Sequence, residues 1–119
     1  ITRATVESVA YQTYDLFEAM KNDGLKPKLI KVDGGMVLNN WFSQFLSDTI
    51  NTKVLRPKVN ETTALGAAFM AGLQIGVYKS LKDIAKNWQA GKSFKPRIKN
   101  SERKILIDGW SKAIKKTLS

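Results

Sequence analysis

Apolar residues recur at helical spacing over the first two dozen positions. From Thr5 onward they are three or four residues apart, which predicts an amphipathic helix. The repeating positions are Val6, Val9, Ala10, Thr13, Phe17 and Met20. Gly24 is expected to end this helix, because glycine readily takes the left-handed backbone that closes helices. A short apolar run at 28–32 then predicts a strand that stops at Asp33-Gly34-Gly35.

The rest of the chain alternates between further predicted helices and one extended segment. A second helix should begin near Asn39 or Asn40, either of which can cap it. Its core positions are predicted to be Trp41 or Phe42, together with Phe45, Leu46 and Ile50. Residues 53–57 read as a strand or extended piece and 89–96 as a loop. Further helices are predicted over 64–75, 81–88 and 101–118, the first of them after Glu61-Thr62-Thr63 and ended by Gly76.

Strands that alternate with helices indicate an α/β fold with a parallel pair. Two strands are too few for a stable sheet, so we expect a helix-rich piece with an incomplete sheet. Its strand edge near 29–32 should be open, and a homo-oligomer is a possible consequence. The chain opens inside a helical pattern without a methionine, which also fits a cut piece.

Composition removes several function classes. With no cysteine and no histidine among 119 residues, disulfides, thiolate chemistry and histidine-based metal or catalytic sites are excluded for this chain. The absence of cysteine fits a reducing cytoplasm. No apolar run reaches the roughly 18 residues that a membrane span needs.

The net charge of +10 is concentrated in the last third of the chain. Residues 1–78 hold eight Lys or Arg against seven Asp or Glu, whereas 79–119 hold twelve against three. A small nucleic-acid-binding module is therefore the alternative function. Ten of the twelve are lysines, and no arginines alternate with aromatic residues. This favours a solvated surface, and nucleic acid is not the expected partner.

The glycine pair after the first strand has two interpretations. Gly34 and Gly35 lack side chains, so the backbone can approach a flat ring or a phosphate beside the next helix N-terminus. The Asn39 amide could then pair with an adenine edge or a ribose. Equally, the segment could be a tight turn in which asparagine only caps the helix. The pattern is neither a Walker loop nor a dinucleotide fingerprint.

A helix of very small residues follows at 61–72. Gly66 and Gly72 each weaken a helix by roughly 1 kcal/mol relative to alanine. We therefore expect another helix, or less often a ligand loop, to pack unusually close to this segment.

Three blocks carry a resemblance to a known family. The stretches "RATVESVAYQT", "KVDGGMVLNNWFSQFLSD" and "RPKVNETTALGAAFMAG", with the closing "SERKILIDGWSKAIKKTL", resemble the carboxy-terminal part of the FGGY family of carbohydrate kinases, and within it the glycerol kinase group. The likeness runs from Thr2 to Leu118. It implies an actin-like, ribonuclease-H-like ATPase fold, with residues 1–119 as the carboxy-terminal part of the second kinase domain.

The resemblance also implies an activity and a site. The complete enzyme would be an ATP- and Mg²⁺-dependent cytoplasmic kinase that converts glycerol to glycerol 3-phosphate. In this chain Gly35 would lie against the adenine nucleotide, Asn39 would contact it, and Gly34 belongs to the same turn. The catalytic base and the glycerol contacts lie upstream in the family, so no catalytic or metal-binding residue is assigned here, Asp33, Asp48 and Glu61 included.

Two further expectations complete the analysis. By itself the chain should be inactive as a kinase, and an inactive remnant of a kinase is a second alternative. In some bacterial members a regulatory phosphocarrier docks near the pair that Glu102-Arg103 resembles. The aromatic run that often follows is replaced here by 104–107, so no regulatory partner is inferred.

Overall fold

The computed structural model describes residues 1–59 and 61–119. It contains five α-helices, three strands and one short 3-10 helix in these residues. In chain order they are α1 (Thr2–Asn22), β1 (Leu29–Lys31), the 3-10 helix (Gly35–Leu38), α2 (Asn40–Ile50), β2 (Lys53–Pro57), α3 (Thr62–Gln74), α4 (Leu81–Lys86), β3 (Ala90–Phe94) and α5 (Asn100–Leu118).

The sheet has the order β1-β2-β3. Strands β1 and β2 are parallel, with Leu29 opposite Lys53 and Lys31 opposite Leu55, which confirms the predicted parallel pair. Among residues 1–59 and 61–119, strand β1 pairs with β2 alone and its other edge is open, as expected for an incomplete sheet.

The prediction of a loop over 89–96 is wrong, because 90–94 form β3. This strand runs antiparallel to β2 and places Phe94 opposite Val54. Its local sequence is weak for a strand, and pairing with β2 overrides that local preference. A Cβ on Gly91 would lie 2.7 Å from the Pro57 carbonyl oxygen, so only glycine lets β3 pass this close to β2.

The predicted helices are present with shifted ends. Helix α1 begins at Thr2 rather than near Thr5. The chain turns at Gly24, which has a φ of +90° while the Leu25 amide donates to the Met20 carbonyl. Helix α4 is shorter than its predicted range of 81–88.

One apolar core lies where α1 and α2 pack on β2. Phe42 is 3% exposed and Trp41 is 43% exposed, which settles the choice that the helical pattern left open. The buried apolar residues are Ala10, Phe17, Val37, Phe42, Leu46, Ile50, Val54 and Phe94.

Polar side chains of α2 fasten the carboxy-terminal third to this core. The buried Asp48 carboxylate accepts from the Gln44 side chain and from the Arg97 backbone amide at 2.7 Å. Ser47 donates to the Phe94 carbonyl, and Arg103 donates to the Asp48 carbonyl. Asp48 and Arg103 thus have structural roles that account for their presence.

Close packing against the small-residue helix occurs at only one of its two glycines. A Cβ on Gly66 would meet nothing within 4 Å in the described residues, so the expected close neighbour is missing there. A Cβ on Gly72 would lie 2.8 Å from the Tyr78 ring, so the chain's own return loop packs against that position. Helix α3 is apolar, yet most of its residues are exposed.

Candidate nucleotide-binding site

The glycine pair forms the turn between β1 and α2. Gly34 has φ +104° and ψ 167°, a region that essentially only glycine occupies. Gly35 then begins the 3-10 helix, and Asn39 links that helix to α2. We call residues 33–40 the DGG turn. It lies at the carboxyl end of β1, an edge of the sheet where α/β proteins commonly bind ligands.

Space is open in front of both glycines. A Cβ built on Gly34 or on Gly35 would meet nothing within 4 Å. The positive φ at position 34 explains why a glycine stands there, whereas the φ of Gly35 is not positive. Neither backbone strain nor internal packing therefore requires glycine at Gly35. Its bare backbone faces space that an external group could fill.

Asn39 caps α2 with its side-chain oxygen. Its Oδ1 accepts from the backbone amides of Trp41 at 2.9 Å and Phe42 at 3.4 Å, which confirms the predicted cap. Its Nδ2 makes no hydrogen bond within the part of the chain that the structure describes. The two interpretations of Asn39 are thus compatible, because the oxygen caps the helix while the amide hydrogens are left for another acceptor.

Two side chains that the sequence analysis did not single out hold the turn. Arg56 Nη1 donates to the carbonyls of Val37 and Leu38 and to Asn40 Oδ1, at 3.0–3.1 Å. Ser43 Oγ donates to the Val37 carbonyl at 2.7 Å. A signal for Arg56 did exist, since it lies near the carboxyl end of β2, and the carboxyl ends of parallel strands meet at one sheet edge.

An open groove of about 400 Å³ runs beside Asn39. It is lined by Thr2, Arg3 and Val6 of α1 together with Asn39 and Trp41. The Arg3 guanidinium lies 5.5 Å from the Trp41 ring centre, and its Nε pairs with Glu7 at 2.6 Å. The start of α1 therefore forms one wall of the space next to the DGG turn.

Stacked aromatic side chains support that wall. Trp41 stacks on Phe45 at 5.1 Å, and Tyr11 contacts Phe45 edge-on and stacks on Trp110 of α5. Trp110 Nε1 donates to Asp15 at 2.8 Å. Burial raises the pKa of the Tyr11 phenol, and the Glu7 carboxylate raises this pKa further. Tyr11 is therefore neutral at physiological pH and acts in packing.

The three carboxylates Asp33, Asp48 and Glu61 lie in different parts of the described structure. Asp33 is exposed beside Gly34, Asp48 is buried under α5, and Glu61 precedes α3. No group of three metal-ligating side chains occurs in residues 1–59 and 61–119.

No described helix is long and apolar enough to cross a membrane.

Residues 1–75 match the sequence model of the carboxy-terminal domain of the FGGY family of carbohydrate kinases. The chain therefore belongs to the FGGY family of carbohydrate kinases. The predicted fold class, an α/β domain of the actin-like, ribonuclease-H-like ATPase type that is helix-rich with an incomplete sheet, is confirmed by solved structures of the family.

Particular relatives are glycerol kinases. The chain is 50% identical over 120 residues to the glycerol kinase of Gluconobacter oxydans strain 621H, an alignment that covers 100% of this chain and 23% of that enzyme. The Plasmodium falciparum glycerol kinase, solved with ADP, is 34% identical with a TM-score of 0.82 and covers 100% of this chain. Ligand-bound xylulose kinase from Lactobacillus acidophilus has a TM-score of 0.81 over 98% of the chain at 22% identity, which shows the fold alone.

The chain spans about a quarter of the length of these relatives, 23% of the Gluconobacter enzyme and 24% of the Plasmodium enzyme. The match extends through the basic region at 79–119, so it gives no support to a separate nucleic-acid-binding module there.

Proposed function

We propose that residues 1–119 are the carboxy-terminal part of the second domain of a glycerol kinase and supply the adenosine side of its ATP cleft. The observation that carries this proposal is the DGG turn, where Gly35 has no internal reason to be glycine and the Asn39 amide has no described partner. The similarity to glycerol kinases, one of them solved with ADP, supports the choice of ligand.

The turn is suited to the base and ribose rather than to the phosphates. The Gly35 backbone can lie against a flat ring, and the Asn39 amide can donate to a ring nitrogen or a ribose oxygen. A helix N-terminus often binds phosphate through its free N–H groups. At α2, however, the Asn39 oxygen already occupies the Trp41 and Phe42 amides. The phosphates would therefore extend away from α2.

The chemical step belongs to the remainder of the enzyme. A glycerol hydroxyl oxygen would attack the γ-phosphorus of ATP, the bond to the ADP oxygen would break, and the hydroxyl proton would pass to a carboxylate outside this chain. Closure of the two domains would exclude water from that step. The contribution of this chain is to hold the adenosine in place, so by itself it would not catalyse. Because its phosphoryl donor would be ATP, we expect the complete enzyme to act in the cytoplasm.

Magnesium is expected with the nucleotide, and we expect its ligands to come mainly from outside the residues that the structure describes. Mg²⁺ prefers a cluster of carboxylate and water oxygens beside substrate phosphates. Among the residues described, no three metal-ligating side chains come together, and we assign none of them to the ion.

ADP binding to the chain tests the proposed site. Titration calorimetry should show weak binding of ADP that depends little on salt, since the contacts are to a neutral base and ribose. Binding that falls steeply with salt, and that single-stranded DNA reproduces, would instead support the nucleic-acid alternative.

A chimera tests the proposed activity. The aligned 120 residues of the Gluconobacter glycerol kinase would be replaced by this chain, and glycerol-dependent ATP consumption would be measured. Glycerol-dependent ATP consumption by the chimera would support the proposal that this chain is part of a working glycerol kinase. A chimera that folds, by circular dichroism, but consumes no ATP would favour the remnant alternative.

A homo-oligomer stays a prediction. The open edge of β1 and exposed apolar residues such as Met70 and Ile75 are the reasons to expect association. Analytical ultracentrifugation of the chain over a tenfold concentration range would measure it, and a monomer throughout would contradict it.

A further inference from the structure

One guanidinium orders both neighbours of Asn39. Arg56 Nη1 lies 3.0 Å from the Leu38 carbonyl oxygen and 3.0 Å from Asn40 Oδ1, with the Val37 carbonyl oxygen at 3.1 Å. Leu38 and Asn40 are the residues before and after Asn39. The segment that carries the candidate nucleotide contact is thus held from β2, across the sheet edge.

The positively charged Arg56 side chain donates these hydrogen bonds, and it forms no ion pair within the described residues. None of the salt bridges within residues 1–59 and 61–119 includes Arg56. Its three oxygen partners are two carbonyls and an amide, and its guanidinium lies 5.6 Å from the Phe94 ring centre. A half-buried cation whose hydrogen-bond partners are neutral oxygens can orient the backbone that carries them, because hydrogen bonds from a charged donor are stronger than those between neutral groups.

We propose that Arg56 is a positioning residue for nucleotide binding, which fixes the 3-10 helix and Asn39 so that the Asn39 amide and the Gly35 backbone face the adenosine together. This inference rests on the proposed function. Arg56 acts through Asn39 and need not touch the ligand itself.

The chemistry of the contact predicts which substitution is tolerated. All three hydrogen bonds come from one nitrogen, so the fork of the guanidinium is not needed. Nη1 has two N–H groups, which the three acceptors share, whereas a lysine ammonium places three N–H donors on one nitrogen. Arg56→Lys should therefore preserve the arrangement, whereas Arg56→Met keeps the apolar stem but removes every donor.

Arg103 offers a matched control. It is also half-buried and also makes three hydrogen bonds to uncharged oxygens, those of Asp48, Asn100 and Ile98, but these lie in α2 and around the start of α5. Arg103→Met removes as many contacts from an arginine that does not hold the DGG turn. A purely structural role of Arg56 would make the two methionine variants behave alike.

The experiment combines ADP titration with nuclear magnetic resonance of the chain. In Arg56→Met we expect ADP affinity to fall about tenfold or more, as for loss of charged hydrogen bonds. Amide exchange at Trp41 and Phe42 should accelerate, and the Asn39 side-chain resonances should shift. Arg56→Lys should stay near wild type in all three readouts, and Arg103→Met should leave them unchanged.

The resonance data keep this inference separate from the proposed function. Unchanged exchange and Asn39 resonances in folded Arg56→Met would overturn the positioning role, whatever ADP does. If wild type failed to bind ADP, the proposed function would fall, and with it the claim that Arg56 positions a nucleotide contact. Altered exchange would then show only that Arg56 orders the turn.

Discussion

The DGG turn and the α3–α4 region are both rich in glycine and both lie at the surface, but they are held in different ways. The turn is fixed by side-chain hydrogen bonds that Arg56 and Ser43 donate and that Asn39 accepts. Helix α3 exposes its alanines and Met70 to solvent, and its Phe69 is half-buried. With α4 and the end of β2 it lines a half-open, largely apolar pocket of about 410 Å³.

The difference shows which parts of this chain are complete in themselves. The side chains that hold the DGG turn make their hydrogen bonds within the described residues, so the turn does not need further protein to form. An apolar helix gains its stability by burial, and α3 buries only Gly72. In the proposed full kinase, we expect further protein to cover α3, whereas the turn stays open for its ligand.

The largest effect should come from deleting buried apolar volume in the core rather than near α3. Ile50 is 1% exposed in the core and Ile75 is 77% exposed at the end of α3, so the same substitution compares the core with the α3–α4 region. Ile50→Ala should lower the free energy of unfolding by about 2–5 kcal/mol. Ile75→Ala should change it by no more than about 0.5 kcal/mol. Urea denaturation of both variants measures the contrast, and equal losses would contradict the comparison.

Glycine substitutions should have opposite signs in the two regions. Gly34→Ala forces alanine into a backbone region that glycine alone tolerates, and should destabilise the chain by about 1–3 kcal/mol. Gly66→Ala lies in α3 with open space around it, and should stabilise the helix by up to about 1 kcal/mol. Thermal unfolding distinguishes them. A neutral Gly34→Ala would mean that the turn relaxes more easily than its geometry indicates.

The smallest effect on stability separates the two roles of Asn39. Asn39→Ala removes the cap and should cost about 0.5–2 kcal/mol. Asn39→Asp keeps a capping oxygen and should be close to wild type in stability. Both variants lose the amide donor, so both should bind ADP more weakly in titration calorimetry. Normal ADP affinity in Asn39→Asp would confine Asn39 to the cap.

Local signals in the sequence predicted the parts of the fold that depend on neighbours along the chain. The capping Asn39 and the helix end at Gly24 are examples. Strand β3 was missed because Gly91 and its neighbours have little strand preference and take that form only beside β2. The choice between Trp41 and Phe42 also needed the packing of α1 on α2.

The residues of the candidate nucleotide-binding site were predictable from the sequence to about the same extent as the fold. The glycine pair and Asn39 stand out in the sequence and lie together in the structure. Arg56 does not, because its partners are 16 to 19 residues away and the contact exists only once β1 and β2 are paired. The cover expected for α3 has no local signal in the sequence, and the chain spans 23% of its Gluconobacter relative.

The measurement that tests the central claim most directly is ADP titration of Gly35→Val beside Gly109→Val. Both glycines have open space where a side chain would stand, but only Gly35 belongs to the DGG turn. We predict that Gly35→Val abolishes ADP binding while Gly109→Val binds as wild type does, with both variants folded by circular dichroism. Wild-type ADP affinity in folded Gly35→Val would contradict the assignment of this turn to the nucleotide.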